Sequence, residues 1–291
     1  MFSRLIIYLR EMFPISNFVG TLLTAVTIQL VALRLSGLPA HFSVMLILPA
    51  VSLTCFSLLI RVMDEFKDYE DDLKNFPGRP LPSGRVYKSD LHVLGWLTVV
   101  TALFFSCISM VTLKAALIVL FYSFLMLKWF FMEKTIRKSL PLALISHHPV
   151  VFLHFGYLLV SLGAWNASFN LEKGLLVMPL LFIFTNWELS RKIRMPSEET
   201  AYTTYSKIWG PRAAVIITLL FQVIVQATIY FIFDKMKTPL IFAGVYYFIY
   251  FVLMLPYLKF LFNLKLDSPL KKAAESQILF VVGSLLLTAF L

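Results

Sequence analysis

Apolar stretches long enough to cross a lipid bilayer recur along the whole of this chain, and they restrict it more than any other feature. A membrane-spanning helix needs about 20 predominantly apolar residues. A window of about 19 residues places such segments near 17–36, 42–62, 91–111, 114–132, 140–162, 174–192, 212–233, 239–261 and 273–291. With 59% hydrophobic and only 14% charged residues, a soluble domain of this size would lack polar surface, so the bilayer is its solvent. The expectation is an all-α polytopic membrane bundle of nine transmembrane helices, a single domain over residues 1–291.

The first dozen or so residues set Arg4 and Arg10 among Leu5, Ile6, Ile7, Tyr8, Leu9 and Phe13. They read as a short amphipathic segment lying on the membrane surface. A signal peptide is disfavoured because no small-residue cleavage site follows an early apolar core. Basic residues then orient the helices, since positive loops stay cytoplasmic. Of the 26 Lys and Arg, all except Arg34, Lys114, Lys173, Lys235 and Lys237 fall in the N-terminal segment or the even-numbered loops. The N-terminus and the Asp-rich loops are therefore expected in the cytoplasm and the C-terminus on the opposite side. The net charge of +10 then belongs to one face and to membrane lipids, and no nucleic-acid partner is needed to explain it. Cys55 and Cys107 read as core residues, and the sequon Asn166-Ala167-Ser168 falls in an outward loop.

Two polar loops stand out, about 64–90 and about 191–211. In the first, Asp64, Glu65, Asp68, Glu70, Asp71 and Asp72 crowd together out of 16 acidic residues in the chain. A second helix continued through them would stack Asp64, Asp68 and Asp72 on one face, with Glu65 adjacent. Like charges so placed repel unless a cation sits among them. Carboxylates with open coordination positions suit Mg²⁺, which readily shares its sphere with substrate phosphates. The loop continues as Asn75-Phe76-Pro77-Gly78-Arg79-Pro80-Leu81-Pro82-Ser83-Gly84-Arg85, a rigid turn-rich segment whose Arg79 and Arg85 are suited to phosphate oxygens.

Asp64-Glu65-Phe66-Lys67-Asp68-Tyr69-Glu70-Asp71-Asp72 followed by Arg79-Pro80-Leu81-Pro82-Ser83-Gly84 resembles the first motif of the UbiA superfamily of membrane prenyltransferases. Asp64 stands where that motif usually has Asn, and Glu65 where it has Asp or Gln. The second motif, Asp-x-x-x-Asp running into Arg-Lys, is degenerate. Aligned on Arg191-Lys192, it puts Asn186 and Ser190 at the aspartate positions and leaves Glu188 as the nearby carboxylate. Either Glu188 holds a second metal with Asn186 assisting, or one Mg²⁺ binds and Arg191, Lys192 and Arg194 neutralise a diphosphate directly. Tyr122 and Lys128 resemble the family's Tyr and Lys contacts to diphosphate, though their separation departs from its usual form.

The resemblance implies a prenyltransferase. Mg²⁺ at Asp64, Glu65, Asp68 and Asp72 binds an isoprenyl diphosphate, its leaving group contacted by Arg79 and Arg85. The allylic bond ionises to a carbocation that an unidentified aromatic or lipid-like acceptor captures. A terpene cyclase of the same superfamily is the alternative, and a membrane transporter or a non-catalytic binder of a lipid diphosphate are rivals of another class. His147, His148 and His154 in the fifth span read as packing residues, with His147 and His154 on one face as the alternative lining of an acceptor cavity.

Overall fold

The computed structural model describes residues 1–165, 171–199, 203–263 and 270–291. The sequon at Asn166 and positions 200–202 of the second polar loop lie outside them. Among the described residues the chain is helical and contains no strand, as hydrocarbon demands: a helix pairs its backbone groups within one segment. The helices are α1 (Phe2–Met12), α2 (Ile15–Leu35), α3 (Val44–Lys67), α4 (Tyr69–Asn75), α5 (Lys88–Ser106), α6 (Met110–Leu127) and α7 (Glu133–Ile136). They continue with α8 (Leu140–His147), α9 (Pro149–Ser161), α10 (Leu171–Ser190), α11 (Tyr205–Trp209), α12 (Pro211–Lys235), α13 (Leu240–Asn263) and α14 (Leu270–Thr288).

The chain is an integral, multi-pass membrane protein. Seven segments among the described residues are long and apolar enough to cross a bilayer: α2, α3, α5, α6, the joined Leu140–Ser161, α12 and α13. The sixth and ninth expected spans correspond to α10 and α14, of 20 and 19 residues, which fall outside that set. Glu172, Lys173 and Glu188 in α10, and Lys271, Lys272 and Glu275 in α14, interrupt their apolar runs. The fifth expected span is two helices. Pro149 has no N–H to continue the ladder, so α8 stops at His147 and α9 begins at Pro149.

The helices pack as two compact units. The first unites residues 1–29, 41–137 and 153–169, and α3 against α5 is its principal pairing. Ser43 caps α3 by accepting from Met45 N at 3.3 Å, and Ser109 caps α6 by accepting from Thr112 N at 3.1 Å. The amphipathic reading of α1 holds, but its apolar face covers protein and not only lipid. Tyr8 is fully buried with Val62, Leu81, Val86, Leu91 and Leu94. The guanidinium of Arg4 donates to both oxygens of Asp90 at 2.7 and 2.9 Å. Tyr8→Ala is therefore expected to cost about 3 kcal/mol through the cavity it opens. Thermal unfolding of detergent-solubilised protein measures this, and an unchanged midpoint would mean that α1 is not held by its core.

The second unit comprises residues 30–40, 138–152 and 170–291. Here α10 packs against α12 and α14, and α13 against both of these. Leu189, Ile193, Tyr205, Val215, Tyr257 and Phe260 form a buried apolar cluster. Thr204 caps α11 by accepting from Lys207 N at 3.1 Å. Gly210 at φ +82°, a conformation that favours glycine, turns the chain into Pro211 at the first position of α12.

Candidate active site

The row of carboxylates exists, but on two helices rather than one. α3 stops at Lys67, Asp68 leaves helical geometry at φ −103° and ψ 10°, and α4 resumes at Tyr69. The hydrogen-bond ladder still crosses the kink, with Asp68 N on Asp64 O and Asp72 N on Asp68 O, both at 2.9 Å. Four-residue spacing thus survives from Asp64 to Asp72, while the continuous-helix expectation is corrected at Asp68.

Three of the four carboxylates have cationic partners in their own unit. Lys67 Nζ lies 2.8 Å from Asp64. Arg61 donates to Glu65 Oε1. Arg79 Nη1 donates to both oxygens of Asp72 at 2.7 and 2.6 Å. Asp68 has no ion pair among the described residues. Burial, offset by Lys67 and reinforced by Asp64, Asp72 and Asp71, raises its carboxyl to about 6. Glu65 is 1% exposed, and its Oε2 is enclosed with no hydrogen-bond partner. Among the described residues no group of three or more His, Cys, Asp or Glu converges in a metal-holding cluster.

The Pro-rich loop folds on itself. Ser83 N bonds to Arg79 O at 3.0 Å and Val86 N to Pro80 O at 3.0 Å, with Gly84 at φ +75° making the turn between them. Arg79 stacks over Phe76, 4.1 Å from its ring centre, while paired to Asp72. Arg85, expected on phosphate, is a staple here. It donates to Gly78 O at 2.7 Å and, with both terminal nitrogens, to Glu11 on α1. That contact holds the Glu11 carboxyl below its ordinary range.

Tyr122 and Lys128 have different surroundings. Tyr122 packs edge-on against Phe130, 5.4 Å between centres. Lys128, which ends α6, opens onto a cavity of about 870 Å³ that Asp64, Glu65, Asp68 and Asp72 do not line.

The residues of the degenerate second motif lie in the second unit. Asn186 is fully buried. Its Nδ2 donates to Gln277 Oε1 at 3.0 Å and Tyr257 Oη at 3.3 Å, and its Oδ1 accepts from Gln222 Nε2 at 3.3 Å. Ser190 bonds to the same Tyr257 hydroxyl at 2.9 Å. In this structure the Asn186 amide is satisfied as a tie among α10, α12, α13 and α14. The Glu188 carboxylate is held by Arg191 at 2.5 and 2.9 Å and by Lys192 at 3.0 Å. Arg194 N donates to Ser206 Oγ at 2.9 Å. The histidines are packed in the helices, but His147 Nε2 and His154 Nε2 are both buried, and that of His154 has no hydrogen-bond partner among the described residues. His154 is buried and stacks on Phe56, His148 Nε2 meets Leu181 O at 3.2 Å, and His147 and His154 fall on either side of the α8–α9 break. Cys107, expected in the core, is exposed at the end of α5, and Cys55 is partly buried.

A solved structure of digeranylgeranylglyceryl phosphate synthase, studied in membranes, superposes on this chain with a TM-score of 0.67. The two share 16% identity, and the match covers 99% of each. This chain has the fold of that synthase. No protein-family model and no curated protein sequence matches it.

Shared with the synthase or not, several polar residues of this fold escaped the motif reading. Arg61 is Glu65's partner, and a Glu four residues after an Arg on a helix is a legible pair. Gln222 and Gln277 were legible as amides inside apolar spans, where polar side chains pair with one another. The Arg85–Glu11 and Arg4–Asp90 contacts join residues 74 and 86 positions apart, and no local pattern announces them.

Proposed function

We propose that this protein transfers an isoprenyl group from an allylic isoprenyl diphosphate to an aromatic or lipid-like acceptor in the membrane, with Mg²⁺ as cofactor. The observation that carries the reading is the carboxylate row beside Arg79, in which Glu65 Oε2 is buried without a partner and Asp68 is crowded by three neighbouring carboxylates. The fold supports it, being that of a synthase whose named product bears geranylgeranyl groups, which are isoprenyl.

The donor set fits a hard divalent cation. Mg²⁺ is commonly held by one or two carboxylates plus substrate phosphates, so a preformed three-ligand cage is not required. Asp64, Glu65, Asp68 and Asp72 would hold it, and when bound it supplies positive charge to the departing diphosphate. Arg79 exchanges Asp72 for a phosphate oxygen, a like-for-like replacement of one bidentate anion by another. Heterolysis of the allylic C–O bond sends its electron pair to the diphosphate. The acceptor nucleophile then forms the new bond to carbon and loses its proton. Apolar surroundings keep water from capturing the cation. In this reading α10 and α14 complete nine spans, and the basic ends, the N-terminus and the Asp-rich loops face the cytoplasm. Tyr122 and Lys128 take no part in it.

The test is incubation of the purified protein with a series of allylic diphosphates and Mg²⁺, with and without an aromatic acceptor, following diphosphate release and the organic product. Release that requires Mg²⁺ and falls in Asp72→Ala is expected. No release from any diphosphate, or undiminished release in that variant, would sink the reading.

A further inference from the structure

The first unit carries a cavity of about 870 Å³ lined by residues of α3, the start of α4, α5, α6 and the segment that follows α6. Its rim is cationic: Lys67, Lys88, Lys128 and Arg137, with His92, against the acids Glu70 and Glu133. Two of these charges are already compensated. Lys67 pairs with Asp64 at 2.8 Å, and Arg137 with Asp71 at 2.8 Å and Glu133 at 2.9 Å. Lys88 and Lys128 have no carboxylate partner among the described residues. Lys88 Nζ sits 3.7 Å over the Tyr69 ring.

The rim lies where three spans end. α3 finishes at Lys67, α5 begins at Lys88 and α6 finishes at Leu127. Behind it the walls run back along the spans as Leu59, Met63, Trp96, Val99 and Leu127. Trp96, which lines the groove, is 70% exposed. Gly95 also lines the cavity, and a Cβ there would make only ordinary contact with Val62 and Leu59, at 3.7 and 3.9 Å.

A cationic rim at the membrane boundary above an apolar trough matches one kind of molecule, an amphiphile with an anionic head and a hydrocarbon chain. A soluble anion would have no use for the trough, a neutral lipid would leave the two uncompensated lysines unmatched, and a zwitterionic lipid would bring an ammonium of its own among the cations of the rim. We propose that this cavity is a binding site for an anionic phospholipid of the surrounding bilayer. Lys88 and Lys128 hold its phosphate, and its acyl chain lies along Trp96 and Val99. None of Asp64, Glu65, Asp68 and Asp72 lines the site, although Lys67 of its rim pairs with Asp64, and the proposal does not depend on the prenyl-transfer reading.

Native mass spectrometry of the full chain released from detergent tests it, with phosphatidylglycerol, phosphatidylcholine of the same acyl chains and inorganic phosphate as probes. Wild type is expected to retain phosphatidylglycerol about tenfold or more over phosphatidylcholine. Lys88→Ala with Lys128→Ala is expected to weaken phosphatidylglycerol about 30-fold, from two cations at about 1 kcal/mol each. Trp96→Ala should weaken both lipids alike. Lys88→Ala alone, at an exposed position, serves if the double variant does not fold. Equal retention of the two lipids, phosphatidylglycerol binding unchanged in a folded lysine variant, or inorganic phosphate binding with the same lysine dependence would overturn the proposal.

Discussion

Asp68→Asn is expected to lower Mg²⁺-dependent diphosphate release by about 100-fold or more, the scale on which loss of a charge-stabilising group acts in catalysis, while leaving the protein at least as stable as wild type. The two halves of that expectation share one cause. Asp68 is the carboxylate of the row that has no ion pair among the described residues, and burial first, then its neighbours Asp64, Asp72 and Asp71, raise its carboxyl to about 6. In the absence of a cation its charge works against the fold, because it is partly desolvated and surrounded by charge of its own sign. Asparagine keeps the shape and removes the repulsion. A residue retained at a cost to stability is one whose charge has other work to do. The measurement pairs diphosphate release with thermal unfolding in Mg²⁺-free buffer. If release were unchanged, or if unfolding moved down together with release, the carboxylate would be structural and the proposed chemistry would lose its centre.

The sequence disclosed the lipid-spanning character and the carboxylate row for the same reason: both are periodic. Seven spans are apolar runs that need no tertiary information. The four-residue spacing of Asp64, Asp68 and Asp72 outlasts even the kink between them. What the sequence did not disclose is which partner each polar group finds. Amphipathic α1 has one apolar face whether it meets lipid or protein, and only the tertiary fold shows Tyr8 inserted among Leu81, Val86 and Leu91. Arg85 has a phosphate-binding side chain in a phosphate-binding kind of loop, yet its fork is occupied by Glu11 from the far end of the unit. Lys128 was legible as a cation near a membrane edge. It lines the cavity with Lys88, while Tyr122 does not, because Lys128 follows the last residue of α6 and has left helical geometry, at φ −91° and ψ 15°.

Asn186 supplies the sharpest contrast, because motif alignment and packing predict opposite results for one substitution. Read as a degraded metal ligand, Asn186→Asp restores the missing carboxylate and should raise Mg²⁺-dependent activity. The packing says otherwise. Asn186 is fully buried and its Nδ2 donates to both Tyr257 Oη and Gln277 Oε1. A carboxylate there would lose both donations and set an anionic oxygen against the Gln277 carbonyl oxygen. Gln277 cannot turn its amide round without loss, since its Nε2 already donates to Gln222 Oε1 at 3.0 Å and Leu253 O at 3.2 Å. Uncompensated charge at such a position costs about 3 kcal/mol or more, and protonating it to escape that cost still leaves the network short of a donor. Asn186→Asp is therefore expected to lower the thermal midpoint clearly and to give no gain in diphosphate release, whereas Glu188→Gln, which only loosens the Arg191 and Lys192 contacts at the end of α10, should move stability far less. A stable Asn186→Asp protein with increased Mg²⁺-dependent release would reverse the assignment and return Asn186 to the metal site. Within the second unit, the amide tie joins α10 and α14, the two helices whose charged ends keep them out of the apolar set, to their more apolar neighbours α12 and α13, beside the apolar cluster of Leu189, Val215, Tyr257 and Phe260.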